Sequence, residues 1–248
     1  MSLTLPEPTL ARLRKAGHVV ALTGGGMAAQ SNVSSFRQAH VGEWAQFDVS
    51  ELATQQGFVR NPRRVWEWYD HRRRRAEEAA PSVGHYALVD LEQHYSNFTL
   101  ITQTIDGLHW RAGSRDLVEL NGCLRRARCF EAGHVHSSWD DEGQVPPICP
   151  HCGSILRPDV VMFGEGLPDW ELKRARRAVE QCDVLLCIGE ISAIEPVSSF
   201  PFLARRAGAL VISIADDDSI YSMLADVVIP QPLGEALPAL VDQITGSS

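Results

Sequence analysis

Three groups of residues in this 248-residue chain combine side-chain type and spacing in ways that could do chemistry. The first is Thr23-Gly24-Gly25-Gly26, directly after the apolar run Val19-Val20-Ala21-Leu22. Glycines there let backbone N–H groups approach a phosphate, and the N-terminus of a following helix favours anions. The plainer reading is a tight turn, because short glycine motifs recur widely. The second group is Cys149-Pro150-His151-Cys152, with Cys129 upstream. A structural zinc needs four tetrahedral ligands, normally from two CxxC pairs, and Cys129-Phe130-Glu131-Ala132 supplies one thiolate instead of two. His134 or His136 could complete the set, or both could be ordinary surface residues. Without a fourth ligand the segment between Cys129 and Cys149 should be loose, since zinc binding supplies much of the folding energy of such modules. The third group is Tyr69 and Arg72 within Trp66-Glu67-Trp68-Tyr69-Asp70-His71-Arg72. Helical i, i+3 spacing puts phenol and guanidinium on one face, where both can converge on a carboxylate. For Arg73 to Arg75 the expected role is a solvated basic face paired with Glu77 and Glu78.

The elements that must position these groups are legible from hydrophobic patterning. Val19–Thr23, Phe98–Thr102, Val184–Ile188 and Leu210–Ile214 are short, nearly continuous apolar runs, as expected of parallel strands buried on both faces. Helical stretches fall between them. One opens at Asn61-Pro62, an N-cap followed by proline at the first helical position, and runs toward Ala80. Others cover Val83 to Tyr95, Trp170 to Gln181, Ser198 to Ala207 and Leu233 to Ile244. This alternation predicts an α/β, doubly wound, Rossmann-like parallel sheet with ligands at the carboxyl ends of its strands. Phe36 to Pro81, helical and rich in Trp and Arg, and Cys123 to Leu156, polar and aperiodic, break the alternation. Residues 1–35, 82–122 and 157–248 are therefore assigned to the Rossmann-like domain. Residues 36–81, a helical module, and 123–156, a zinc-ribbon-like module, form a smaller inserted domain.

Composition narrows the function classes. A formal charge of −8 argues against non-specific nucleic-acid or membrane binding. No apolar run approaches the roughly 20 residues of a membrane helix, and residues 1–10 lack the basic segment of a secretory signal. With six cysteines and one close pair, metal or redox chemistry is favoured over structural disulfides, and a cytoplasmic protein is expected. Cys123, Cys182 and Cys187 are expected to be buried small apolar residues.

Taken together, these motifs resemble the sirtuins, the NAD-dependent protein-lysine deacylases. TGGGMAAQSNVSSFR at residues 23–37, QTIDGLH at 103–109, LNG at 120–122, the cysteine series, and RPDVVMFGE at 157–165 follow the family's order and spacing from about Leu13 to Val241. The resemblance implies that Gly24, Gly26, Phe36, Arg37, Gln103, Thr104, Asp106 and Gly189 line the NAD site, with Asp106 receiving the amide of the leaving nicotinamide. It implies acyl-lysine contacts at Val161 and Phe163, where a peptide adds as an extended strand. Tyr69 and Arg72 match the class III segment that reads succinyl- or malonyl-lysine. Several positions depart from the pattern. Asn121 stands where the family has its catalytic histidine, and an amide cannot accept a proton near neutral pH. A positioned histidine base is typically worth about 10²–10⁴-fold. Thr104 replaces an asparagine, offering one hydroxyl in place of two donors and an acceptor. Asn32 replaces glycine, Ala215 an asparagine, and Glu190-Ile191 stands in place of Thr-Ser at the phosphates, where a carboxylate repels the diphosphate. With Tyr69 and Arg72 the resemblance implies a desuccinylase/demalonylase-type sirtuin, and these changes predict that it is catalytically impaired. The alternative is a non-catalytic scaffold that binds acyl-lysine peptide or a nucleotide fragment without turnover.

Overall fold

A computed structural model describes residues 3–34, 46, 48–140, 143–192, 194–215 and 220–246. In chain order the helices are α1 (Glu7–Lys15), α2 (Gly25–Ala29), α3 (Val49–Leu52), α4 (Gln55–Arg60), α5 (Pro62–Glu78), α6 (Val83–His94), α7 (Leu108–Ala112), α8 (Asp169–Gln181), α9 (Phe200–Arg206) and α10 (Leu233–Thr245). The strands are β1 (Val19–Thr23), β2 (Phe98–Thr102), β3 (Leu117–Glu119), β4 (Gly122–Cys129), β5 (Val135–His136), β6 (Leu156–Val160), β7 (Val184–Ile188), β8 (Leu210–Ile214) and β9 (Val227–Ile229).

Six strands form a parallel sheet in the order β3-β2-β1-β7-β8-β9. All five residues of β1, β2, β7 and β8 are buried, because alternate side chains enter two separate cores. Val19, Ala21, Leu100, Leu186, Ile188 and Ile212 meet Leu13 of α1, Leu88 and Leu91 of α6, and Leu237 and Leu240 of α10. Val20, Leu22, Ile101, Leu185, Cys187 and Val211 meet Ala175 and Val179 of α8 and Phe200 and Ala204 of α9. Burial on both faces is why these runs read as continuously apolar and not alternating. Truncating one such leucine to alanine typically costs about 2–5 kcal/mol.

The four expected strands appear with the expected bounds, while the short edge strands β3 and β9 carry no comparable apolar run. Strand order reverses between β1 and β7, so the turns leaving their carboxyl ends diverge there and open a crevice, the usual ligand position in such sheets.

A second, antiparallel sheet, in the order β5-β4-β6, lies along α5. The Asn61 side chain accepts the Arg64 N–H at 3.1 Å and Pro62 opens the helix, as the capping signal requires. Trp68 and Tyr69 of α5 then pack with Leu52, Phe58, Leu124, Val160 and Met162. Arg73 corrects one expectation. Its side chain is mostly buried, pairs with Asp70, and stacks 4.8 Å from the Trp139 ring. It belongs to the contact between α5 and the cysteine-bearing module, not to a solvated face. Arg74 and Arg75 do lie exposed; of the expected pairings Arg73 reaches Glu77 at 3.7 Å and Arg75 reaches Glu78, while Arg74 pairs with Asp70. Among the described residues no helix is long and apolar enough to cross a membrane.

Candidate functional site

The crevice is built from two glycine turns in backbone contact. Gly24 follows β1, and a Cβ there would lie 1.6 Å from the Glu190 carbonyl oxygen, so no side chain fits. Gly26 meets Gly189 across the crevice, a Cβ on Gly26 falling 3.1 Å from the Gly189 Cα; Gly189 itself has φ +72°. The Gly24 N–H donates to Ile188 O at 3.2 Å and the Gly25 N–H to Glu190 O at 2.8 Å. The first of these continues the β1/β7 ladder, and the second ties the glycine turn to the turn that follows β7. Phe36 and Arg37 lie outside the described residues.

Behind the turns runs a buried polar chain. Thr23 Oγ1 donates to Thr102 Oγ1 (2.9 Å), which in turn contacts Thr104 Oγ1 (3.0 Å), and Thr104 Oγ1 reaches Asp106 Oδ1 at 3.5 Å. Leu108 N–H donates to the same Asp106 oxygen at 2.8 Å. Asp106 Oδ2 is buried without a hydrogen-bond partner among the described residues. Burial pushes the Asp106 carboxyl up to about 6, against the opposing effects of the Leu108 N–H and of Arg72. At the far end His109 Nε2 lies 3.2 Å from Thr23 Oγ1, and its ring is 4.6 Å from that of His85. Burial depresses both imidazoles, His85 to about 4. Sequence reasoning missed Thr23, Thr102, His109 and His85 as a unit. They lie on β1, β2, α7 and α6, and no local spacing links them.

Gln103 and Asn121 meet at the rim. The Asn121 side-chain N–H donates to Gln103 O at 2.8 Å, and Gln103 Oε1 accepts the Ser192 N–H at 2.8 Å. The Asn121 carbonyl accepts the Val161 N–H at 2.9 Å, tying the LNG segment to the residue after β6. Phe163 is half exposed, and its N–H donates to Ala53 O at 2.8 Å. Below it, Glu165 accepts from Arg157 and from the Met162 N–H, which pins the turn. Burial alone would raise the Glu165 carboxyl, but these donors hold it below its ordinary value.

Tyr69 and Arg72 come together as their spacing predicted. The guanidinium carbon lies 5.9 Å from the Tyr69 ring centre and 5.0 Å from that of Trp68. Burial raises the Tyr69 phenol to about 12, so it stays a neutral donor; burial also lowers the Arg72 value, opposed by Tyr69 and Asp106.

The cysteine module brings Cys129, Cys149, Cys152 and His134 into one group, with ligand atoms all within 4.8 Å of one another. Cys129 Sγ and Cys152 Sγ are 3.3 Å apart, and Cys149 Sγ is 3.6 Å from His134 Nδ1. Two matching turns present them, Cys129–Gly133 and Cys149–Gly153, each closed by an N–H donated from the glycine to the cysteine carbonyl. Ala132 occupies the place of the missing second cysteine, its N–H donating to Cys129 Sγ at 3.3 Å. Three thiolates and an imidazole suit tetrahedral zinc, so these four residues are fit to hold it. His136 Nε2 also lies 3.4 Å from Cys149 Sγ but is outside the four-ligand group. Cys123, Cys182 and Cys187 are buried free thiols whose values burial pushes up.

A doubly wound parallel sheet with its crevice at the β1/β7 switch point, beside a second sheet bearing a group of three cysteines and one histidine fit to hold zinc, defines a Rossmann-like α/β protein. Comparison with known proteins narrows the class. The Sir2 family profile matches residues 24–196. NAD-dependent protein deacylase 2 of Pyrobaculum aerophilum is 42% identical over 232 residues, covering 94% of this chain and 93% of that protein. The NAD-dependent protein deacylase of Aquifex aeolicus is 38% identical, covering 92% and 95%. The crystal structure of a Sir2 homologue in complex with NAD superposes with a TM-score of 0.90 at 35% identity, covering 99% and 96%. This chain belongs to the Sir2 family, the NAD-dependent protein deacylases. Gln103 lies at the rim of the crevice and Asp106 in the buried polar chain behind it, while the Gly25 N–H of the glycine turn is bonded to the Glu190 carbonyl.

Proposed function

We propose that this chain is a sirtuin of desuccinylase/demalonylase type which keeps its acyl-lysine site and has lost NAD-dependent turnover. One observation carries the reading: the Asn121 amide donates to Gln103 O at 2.8 Å. That role suits a rim strut. It provides no proton acceptor, and an amide gains no basicity from it near neutral pH. Asn121, Gln103 and Asp106 are assigned to the family's catalytic positions, and Gly24, Gly26, Thr104 and Gly189 to its cofactor wall. The acyl side is supported by the convergence of Tyr69 and Arg72 beside a buried apolar wall of Leu124, Val160 and Met162. A neutral phenol and a guanidinium together match a carboxylate-tipped acyl chain. Val161 and Phe163 are assigned to the peptide. The partner is an acylated protein or peptide.

The test is calorimetry with a succinyl-lysine peptide and with NAD, separately and together, alongside an NAD-dependent desuccinylation assay. The expected outcome is peptide binding without NAD and no detectable product. Robust turnover by the wild-type chain would overturn the reading and restore the ordinary enzyme.

A further inference from the structure

Glu190 follows β7 at the mouth of the switch-point crevice, and its main chain is held from several sides. The Gly25 N–H donates to its carbonyl oxygen at 2.8 Å. Next along the chain, Ile191 is buried in the core with Val20, Leu22 and Val211. Ser192 is clamped in turn, its N–H by Gln103 Oε1 at 2.8 Å and its carbonyl by the Tyr221 hydroxyl at 2.6 Å. A backbone fixed in this way presents the Glu190 side chain to the glycine turn. Its Oε2 lies 3.7 Å from the point where a Gly25 Cβ would stand. No hydrogen bond or ion pair to this exposed carboxylate occurs among the described residues.

We propose that Glu190 is a specificity-determining residue that makes the crevice refuse ligands carrying a diphosphate. The physical case has two parts. A diphosphate at the Gly24–Gly26 turn would sit within contact range of a negative charge that no cation pairs among the described residues. It would also find the Gly24 and Gly25 donors already committed. Ile191 acts as the anchor, since its burial fixes the turn that aims Glu190. This inference rests on the proposed sirtuin reading only for the identity of the ligand.

The experiment measures ADP-ribose and NAD binding by calorimetry to the wild-type chain and to Glu190→Gln and Glu190→Thr, with thermal melts confirming that each variant is folded. Glu190→Gln keeps the shape and removes only the charge. Both variants should bind ADP-ribose about tenfold or more tighter than wild type, and the difference should narrow in 1 M salt because the carboxylate is exposed. Wild-type affinity matched by both variants, at any absolute strength, overturns the inference. Binding is read without turnover, so that result leaves the loss of the base at Asn121 standing. Conversely, wild-type desuccinylation would sink the proposed function through a different measurement.

Discussion

Asn121 shows how one side chain is reassigned by its surroundings. On the proposed reading it stands at the position of the proton acceptor, and its amide N–H is spent on Gln103 O. Arg72 is the opposite case, the side chain to which the proposed function gives recognition of the acyl chain. It lies over Trp68 and next to Tyr69, where water competes poorly for a carboxylate. Replacing it by glutamine keeps length and hydrogen-bonding capacity but removes the charge. A charge-assisted hydrogen bond is worth about 1.5–3 kcal/mol. Arg72→Gln should therefore weaken a succinyl-lysine peptide by about tenfold to a hundredfold and leave an acetyl-lysine peptide nearly unchanged. Parallel titrations of the two peptides decide this, and an equal loss for both would remove Arg72 from acyl selection. Tyr69 and Arg72 were legible in the sequence because helical spacing alone places them on one face. Thr23, Thr102 and His109 were not, since their contacts run between separate elements.

At the scale of elements, the paired turns of the cysteine module lie at the end of β4 and just before β6. The chain lacks the second cysteine of the first pair, and Ala132 fills that place. His134, two residues on, reaches the group because the turn ending at Gly133 (φ +69°) reverses the chain. From sequence, His134 and His136 were equal candidates, and both approach Cys149. The four-ligand geometry selects His134. Zinc analysis of the purified chain should find one equivalent, and His134→Ala or treatment with a strong chelator should release it. Because metal binding in such modules is largely their folding energy, release should lower the melting temperature and loosen Cys129–Cys152 to proteolysis. Full zinc retention in His134→Ala, lost only when His136 is also replaced, would assign the fourth ligand to His136.

Across the whole molecule, the buried titratable groups set how stability varies with pH. Burial pushes His85 down to about 4, so the folded state keeps it neutral while the unfolded chain charges it below 6.5. The unfolded state then binds more protons between pH 6.5 and about 4, and stability falls as the pH drops through that window. Asp106 acts in the other direction. With its carboxyl pushed up to about 6 from 3.8, the folded state holds the proton longer; the cost of the buried carboxylate is present above pH 6 and disappears as pH falls toward 4. Asp106→Asn should accordingly stabilise the protein at pH 7 by roughly 3 kcal/mol, at about 1.4 kcal/mol per pKa unit. The gain should vanish near pH 4, leaving a steeper acid loss than in the parent. Denaturant titrations at pH 7 and pH 4 check the sign, and a less stable variant at pH 7 would show that the ionised carboxylate is held favourably.

The amino-acid sequence by itself determined the sheet and the order of its chemistry. Four strands buried on both faces must be continuously apolar, and Asn61-Pro62 must open a helix, so local physics wrote those elements plainly. The edge strands β3 and β9, the pairing of β6 with β4, and the burial of Arg73 against Trp139 needed the tertiary structure, because none of them follows from a local pattern. The same holds at the site. Sequence named Asn121, Thr104 and Glu190 as departures. Only the fold, by bringing β1 and β7 together at the reversal of strand order, showed that Glu190 leans on the glycine turn and that Asn121 braces Gln103. Those contacts join residues far apart in the chain, and their energies exist only once the chain has closed.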